Sequence, residues 1–356
     1  MKILKYKLTL EELIHFNDIF IFSLNLYIYS MIYPETSANL PTIKGDFIGR
    51  CTAFCPSHIT GFFETPDQNN SINKKNIDFL FYGSKGAGFS LTKGVTTEIN
   101  IYKSQNNGYQ IFLNHSLVNN LEVSKWVVQY YLNNFNLPSY FIDIKHFVDV
   151  PIGYGLGTSG AAALSLSYAL NKSLGIGLSK EEAAQIAHIA EIHCKTGLGT
   201  VIAEFYGGLE IRTSFGAPGI GKVTKVKIDN YTAVVLCISP ILTKQVLNNY
   251  SNNANNLGSS MIEQLLLTKD VKSFLSMAHK FADYLGLTKG SCERPIQKLN
   301  RLGFDCSIAL FGQTVFTLVK PEHVLQVASI LRQFPGTLII SDIDNKGALI
   351  KNYERS

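Results

Sequence analysis

The segment Pro151-Ile-Gly-Tyr-Gly-Leu-Gly-Thr-Ser-Gly-Ala-Ala162 constrains this chain more than any other. Gly153, Gly155 and Gly157 alternate with other residues and run into an Ala/Leu-rich stretch at 159–173 that reads as a helix. Glycine tolerates dihedrals closed to other residues and presents no side chain to block a ligand. A helix start adds unpaired N–H donors and the positive end of the dipole, so loop and helix together make an anion site, above all for phosphate. Thr158 and Ser159 supply hydroxyls for a phosphate oxygen or Mg2+, and Gly160, Ala161 and Ala162 are small enough for close backbone approach.

Two familiar loops fit less well. The P-loop needs a Lys after its last glycine, and none follows here. The dinucleotide pattern G-x-G-x-x-G is met by Gly155, Gly157 and Gly160, but it expects an acidic residue about 20 positions on, at the end of a strand. Glu181 and Glu182 lie at that distance and open a helix instead, where Ser179 and Glu182 form a capping-box pattern.

The chain around the loop, 356 residues long, is large enough for two domains. Its 46% hydrophobic and 17% charged residues exclude a disordered or collagen-like chain. The net charge of +5 is spread without a long Lys/Arg block, so no nucleic-acid partner is expected. Six cysteines form no C-x-x-C pair and read as reduced thiols. Residues 19–33 are apolar but contain Asn25 and fall short of the roughly 20 residues of a membrane span. They read as a peripheral packing element, an interfacial helix, or sequence upstream of a true start such as Met31, with 34–47 as a linker. No membrane partner is expected, and the expected location is cytoplasmic.

Periodicity and punctuation lay out the rest. A strand is expected at 48–55, stopping at Pro56, followed by a polar turn at 67–77. A strand near 79–82, a glycine-rich turn, a second strand and then a strand from Val95 to Tyr102 come next, followed by β pattern at 109–113 and 141–150. A helix at 120–135 carries Trp126 as a packing residue. The helix from Ser179 runs to about Lys195, with Gly197 and Gly199 as its positive-φ stops, and 201–212 return to β. Beyond Pro218 come strands in VTKVKI and YTAVVLCISP. Helices at 241–249 and 258–285 flank a solvated Asn-rich loop. IALFGQTVFTLVK reads as a strand, 321–333 as a helix and TLIISDID as a strand. The expectation is an α+β chain with an extension (1–47), an ATP-binding N-terminal domain (48–215) and a C-terminal α+β domain (216–356).

The glycine segment resembles the ATP-binding motif of the GHMP small-molecule kinases, roughly P-x-x-x-G-L-G-[ST]-S-[GA]. Within that superfamily, Pro56-Ser-His-Ile-Thr-Gly-Phe-Phe63, Tyr82-Gly-Ser-Lys-Gly-Ala-Gly88, Gly94-Val-Thr-Thr97, Thr196-Gly-Leu-Gly199, Gly207-Gly208 and Phe311-Gly-Gln-Thr-Val-Phe316 are similar to the archaeal pantoate kinases. The resemblance covers about residues 50–340. It implies the two-domain GHMP fold with ATP and substrate between the domains. It also implies ATP-dependent phosphorylation of pantoate to 4-phosphopantoate for coenzyme A synthesis. A kinase for mevalonate or a mevalonate phosphate, and a nucleotide-binding homologue without turnover, stay open beside it.

The resemblance implies a nucleotide loop of Pro151, Gly153, Gly155, Leu156, Gly157, Thr158, Ser159, Gly160 and Ala161, and Mg2+ on Ser159 and Glu191. His58 either donates to a phosphate or substrate oxygen or bonds its own loop. Ser84, Lys85 and Gly86 form a turn able to hold a small hydroxy acid's carboxylate, with Arg212 as a second partner; the alternative for Lys85 is a solvated turn residue. His188, Glu191 and His193 lack zinc-motif spacing and read as ordinary helix residues. Related kinases commonly carry Asp after T-G-L-G, as a base or orienting carboxylate, where this chain has Thr200. A small hydroxy acid and a second copy of the chain are the expected partners.

Overall fold

The computed structural model of the chain describes residues 45–66, 78–241 and 243–355, with residues 243–255 as backbone only. The N-terminal stretch and the expected turn at 67–77 lie outside the described residues. Among the described residues there are twelve strands, in two sheets, and eight α-helices. The larger sheet has β1 (Phe47–Glu64) and β2 (Lys85–Lys103) at its centre, with β3 (Gly108–Leu113), β4 (Ser116–Leu117) and β5 (Tyr140–Val148) on one side. β6 (Leu209–Arg212) pairs with β2 and with β7 (Val223–Val226), and the C-terminal strand β12 (Leu349–Arg355) returns to pair with β1. The smaller sheet runs β11 (Thr337–Asp342), β8 (Thr232–Pro240), β10 (Gly312–Val319), β9 (Ser307–Ile308). Both β7 and β12 thus join the first sheet from beyond residue 216. No disulfide links the six cysteines.

The β1–β2 ribbon ties the molecule together. Its outer halves, with Cys51, Ala53, Val95 and Ile99, belong to one core, under α1 (Glu122–Asn134), α2 (Thr158–Leu174) and α3 (Lys180–Cys194). Its inner halves, with Ile59, Phe62, Ala87 and Phe89, belong to a second core. That core also holds the smaller sheet, α5 (Thr243–Thr268), α6 (Val271–Tyr284), α7 (Glu293–Arg301) and α8 (Pro321–Leu331). The ribbon changes core near Pro56, where its register shifts opposite Gly94. Proline lacks the ladder N–H and is accommodated at such a bulge. The expected stop at Pro56 is therefore corrected: the strand passes through it.

Other expectations are also corrected. Residues 79–82 form a turn rather than a strand, and β2 runs unbroken across Gly94. α3 carries the expected Ser179–Glu182 capping box, but the residue that ends it in the left-handed region is Lys195, with φ 57°, not Gly197 or Gly199. Residues 200–206 form a short helix, α4 (Thr200–Tyr206), before β6. The Asn-rich run at 248–260 is helical within α5. Asparagine lowers helix propensity only slightly. Leu257, Met261, Ile262 and Leu265 recur at helical spacing against the second core, which decides the matter. Trp126 packs on α1, stacked on Tyr130 at 5.2 Å between ring centroids.

Candidate active site

The loop after β5 crosses the junction of the two cores and enters α2. Gly153, Gly155 and Gly157 all take positive φ (86°, 75° and 69°), which carries the chain back towards β1. The loop is pinned from both sides: the His58 N–H donates to the Leu156 carbonyl at 3.0 Å and the Ile241 N–H to the Gly153 carbonyl at 2.8 Å. Thr314 Oγ1 donates to the Tyr154 carbonyl at 2.8 Å. Gly157 is the N-cap of α2 and no side chain caps it, so the first-turn N–H groups stay available to a ligand.

A cleft lies over this helix start. It is lined by His58, Ser84, Gly153, Gly155, Leu156, Gly157, Thr158, Ser159, Gly160, Glu191 and Arg212, all anticipated from sequence. It is also lined by Thr60, Phe63, Thr196, Gly197, Leu198, Gly199, Thr200 and Phe311. Of these, the 196–199 run carried a motif signal. Thr60, Phe63 and Phe311 lie inside motifs that carry the resemblance, and Thr60 sits two residues from His58 on the same strand face.

Ser159, at the start of α2, meets Glu191, near the end of α3, because the two consecutive helices pack side by side. Ser159 Oγ donates to Glu191 Oε1 at 2.5 Å, and Thr196 Oγ1 donates to the same oxygen at 2.6 Å. Glu191 is 2% exposed. Burial raises its pKa above the usual carboxylate range, opposed by the two hydroxyl bonds.

The other end of the cleft is built on β6. Arg212 is 1% exposed; one guanidinium nitrogen, Nη1, is paired with Glu210 Oε1, while Nε has no partner among the described residues. Burial lowers the Arg212 pKa and the Glu210 charge opposes that. His58 Nε2 lies 3.2 Å from both Glu210 oxygens, and Thr60 Oγ1 3.4 Å from His58 Nδ1. A Cβ at Gly199 would stand 2.2 Å from Ser84 Oγ and 3.1 Å from Arg212 Nε, so a glycine here leaves both facing one space.

Four residues of the sequence reading sit outside the cleft lining. Lys85 Nζ pairs with Glu64 Oε2 at 2.8 Å and lies 5.0 Å over the Phe215 ring. Gly86 pairs with Arg212 across β2 and β6, and a Cβ there would come within 3.0 Å of Nη2. Ala161 is buried in the first core, and Pro151 opens the loop. His188 bonds the Tyr82 carbonyl at 2.9 Å, and His193 lies exposed beside Trp126. Among the described residues no helix is long and apolar enough to cross a membrane.

A glycine-led helix start, a hydroxyl–carboxylate pair beside it and a buried cation across a cleft between two α/β cores suit a small-molecule phosphotransferase. The comparisons agree. GHMP kinases N terminal domain matches residues 122–208. A pantoate kinase of Methanocaldococcus jannaschii is 33% identical over 284 residues, 78% of this chain and 96% of that protein. One of Thermococcus kodakarensis is 30% identical over 286 residues, 78% and 91% of the two chains. A solved structure described as a phosphotransferase related to the CoA biosynthesis pathway superposes with TM-score 0.76 at 26% identity, over 85% of this chain and 98% of that one. The chain belongs to the GHMP kinase superfamily.

Proposed function

We propose that the chain transfers the γ-phosphoryl group of Mg·ATP to the terminal hydroxyl of pantoate, giving 4-phosphopantoate and ADP. The observation that carries this reading is the pairing, in one cleft, of an uncapped glycine-led helix start with a buried arginine whose Nε is unpartnered. The first suits a polyphosphate and the second a carboxylate, through charge-assisted bonds. The relatives named pantoate kinase support the choice of hydroxy acid, and the CoA-related phosphotransferase supports the use of its product.

Each residue then has a task. The backbone from Gly153 to Gly160 cradles the phosphates, with the Thr158 hydroxyl at its edge. Ser159, Glu191 and Thr196 offer hard oxygens in the number that Mg2+, which keeps several waters, requires of a protein. When bound, the ion neutralises charge on the transferring group. Ser84 and Arg212 hold the acceptor carboxylate, Gly86 leaves the guanidinium its space, and Lys85, the first residue of β2, is tied to Glu64 on β1 rather than lying in the expected turn. His58 stands between the two ends and fixes Glu210, and through it Arg212. Phosphoryl transfer draws its acceleration chiefly from such positioning and charge stabilisation.

A single panel tests this reading: ADP release from Mg·ATP with pantoate, mevalonate or mevalonate phosphates as acceptor. Pantoate-dependent ADP release, with one phosphoryl group added to pantoate, is expected. Turnover confined to mevalonate-type acceptors overturns the acceptor, and no turnover with any of them favours a nucleotide-binding protein.

A further inference from the structure

Among the residues lining the cleft, Glu191 is the sole carboxylate, and one of its oxygens already accepts two hydroxyls. Behind the cleft wall lies a second carboxyl with no task so far. Glu204 sits on α4, one helical turn beyond Thr200, and is fully buried. The Cys55 thiol approaches its Oε2 at 3.7 Å, and Oε1 has no hydrogen-bond partner among the described residues. A buried carboxyl oxygen without a partner is costly, so its presence in the wall of a site asks for a function.

Its position supplies one. A Cβ at Gly157 would stand 2.6 Å from Glu204 Oε1, and a Cβ at Gly160 2.8 Å from Oε2. The carboxyl is thus pressed against the turn where the loop enters α2. The same two points lie 2.9 and 3.1 Å from Thr200 Cγ2, and Thr200 itself lines the cleft beside Gly199, where Ser84 and Arg212 converge. Thr200 is therefore placed between the cleft and Glu204. It presents its methyl to that side and its Oγ1 towards Gly197. Threonine in a helix populates two χ1 wells, and a rotation about χ1 that carries Oγ1 into the position the methyl holds turns it to the carboxyl.

We propose that Glu204 takes up the proton released in the transfer, reached from the cleft through the hydroxyl of Thr200. This rests on the reading of the cleft as a kinase site for a hydroxy acid. The acceptor oxygen bonds to the γ-phosphorus as the bond from that phosphorus to the β,γ-bridging oxygen breaks, and the electron pair leaves on ADP. The acceptor's proton passes to Thr200 Oγ1 as the Thr200 proton passes to the Glu204 carboxylate. Glu204 acts through Thr200 and is a positioning residue rather than one that touches the acceptor.

The surroundings suit a proton acceptor. Burial holds the Glu204 pKa well above the usual carboxylate range. Charges on Glu191 of α3 and Glu210 of β6 add to this, and the Cys55 bond from β1 opposes it. Cys55 keeps its own proton, its pKa raised by burial and by Glu204. The ionised, accepting form of Glu204 therefore grows as pH rises, and kcat should climb with pH above the range of an ordinary carboxylate.

The test uses three full-length chains: wild type, Glu204→Gln, and Glu204→Gln combined with Thr200→Asp, which puts a carboxylate on the cleft wall itself. ADP release with pantoate is measured across pH, with calorimetry for nucleotide binding and thermal unfolding as a check on the fold. Glu204→Gln should lower kcat by about 10²-fold or more while nucleotide affinity stays near wild type. Adding Thr200→Asp should restore about tenfold or more of the lost rate, with the alkaline climb replaced by a profile that levels off at lower pH. Wild-type kcat in Glu204→Gln, or no rescue by Thr200→Asp in a folded double variant, overturns the proposal, because a purely structural carboxyl would not be replaced from position 200. No pantoate-dependent ADP release from the wild type instead overturns the acceptor assignment, and with it the ground on which this proposal stands.

Discussion

At the scale of single residues, the glycine loop was the most legible part of the site. Gly153, Gly155 and Gly157 are marked by a chemistry that other residues cannot supply, and all three take positive φ. What packs beneath them was not legible, because no local pattern relates residue 157 to residue 204. That contact sharpens one prediction. Valine at position 157 would have to keep a φ of 69° with its Cβ 2.6 Å from Glu204 Oε1 and 3.2 Å from the His58 backbone nitrogen. Gly157→Val should therefore abolish ATP binding; wild-type affinity by calorimetry would refute the loop assignment. The Glu191 pair was legible as residue types but not as a contact, which needs α2 and α3 side by side. Glu191→Gln can still accept the Ser159 and Thr196 hydroxyls, so the fold should persist while the lost charge lowers kcat by about 10²–10³-fold. Unchanged turnover across a magnesium titration would remove Glu191 from the metal site.

At the scale of elements, periodicity found what local sequence controls and missed what packing controls. The capping box of α3 and the helix of α1 were legible because their signals lie within a few residues. β1 and β2 read as fragments because Pro56 and Gly94 look like stops, yet each faces the other at a bulge. The Asn-rich part of α5 read as loop because its local composition is polar, while the contacts of Leu257, Met261, Ile262 and Leu265 that hold the helix are tertiary. One buried cluster links α2 to the sheet and gives a prediction at this scale. Thr97 Oγ1 lies 2.8 Å from His146 Nδ1 and 2.6 Å from Ser165 Oγ, Ser124 Oγ lies 3.1 Å from His146 Nε2, and Ser165 Oγ donates to the Ala161 carbonyl at 2.7 Å. Burial lowers the His146 pKa from 6.5 to about 4. The unfolded chain then binds a proton that the folded chain refuses, so stability is lost as pH falls from about 6.5 towards about 4. Glu191 and Glu204, with raised values, act in the opposite sense. The difference between wild type and His146→Gln isolates the effect: the gap in Tm should shift in favour of the variant as pH is lowered through that window. A gap independent of pH would show that His146 does not control it.

At the scale of the whole molecule, the glycine loop belongs to neither core alone. β5 and α2 anchor its ends in the first core, while its tip is held by the ends of β8 and β10 through Ile241 and Thr314. The sequence marks the loop and the FGQTVF segment separately and does not mark that they touch. The tightest point is a crossing of two glycines. A Cβ at Gly155 would stand 2.9 Å from the Phe311 carbonyl carbon, and a Cβ at Gly312 would stand 2.2 Å from the Tyr154 carbonyl carbon. Both distances are to backbone, which cannot yield as a flexible side chain can. Gly312→Ala should therefore push the loop tip off β10, break the Thr314–Tyr154 hydrogen bond and splay the helix-start N–H groups. A weakening of ATP binding by about tenfold or more is expected, equal to about 1.4 kcal/mol or more. It would come from a residue that does not line the cleft. The control is Leu325→Ala on α8, 78% exposed in the same half of the chain, which should leave ATP binding unchanged. Equal ATP affinity in a folded Gly312→Ala chain and in wild type would mean that the first core alone shapes the loop, and that the contact between the two halves does not set nucleotide binding.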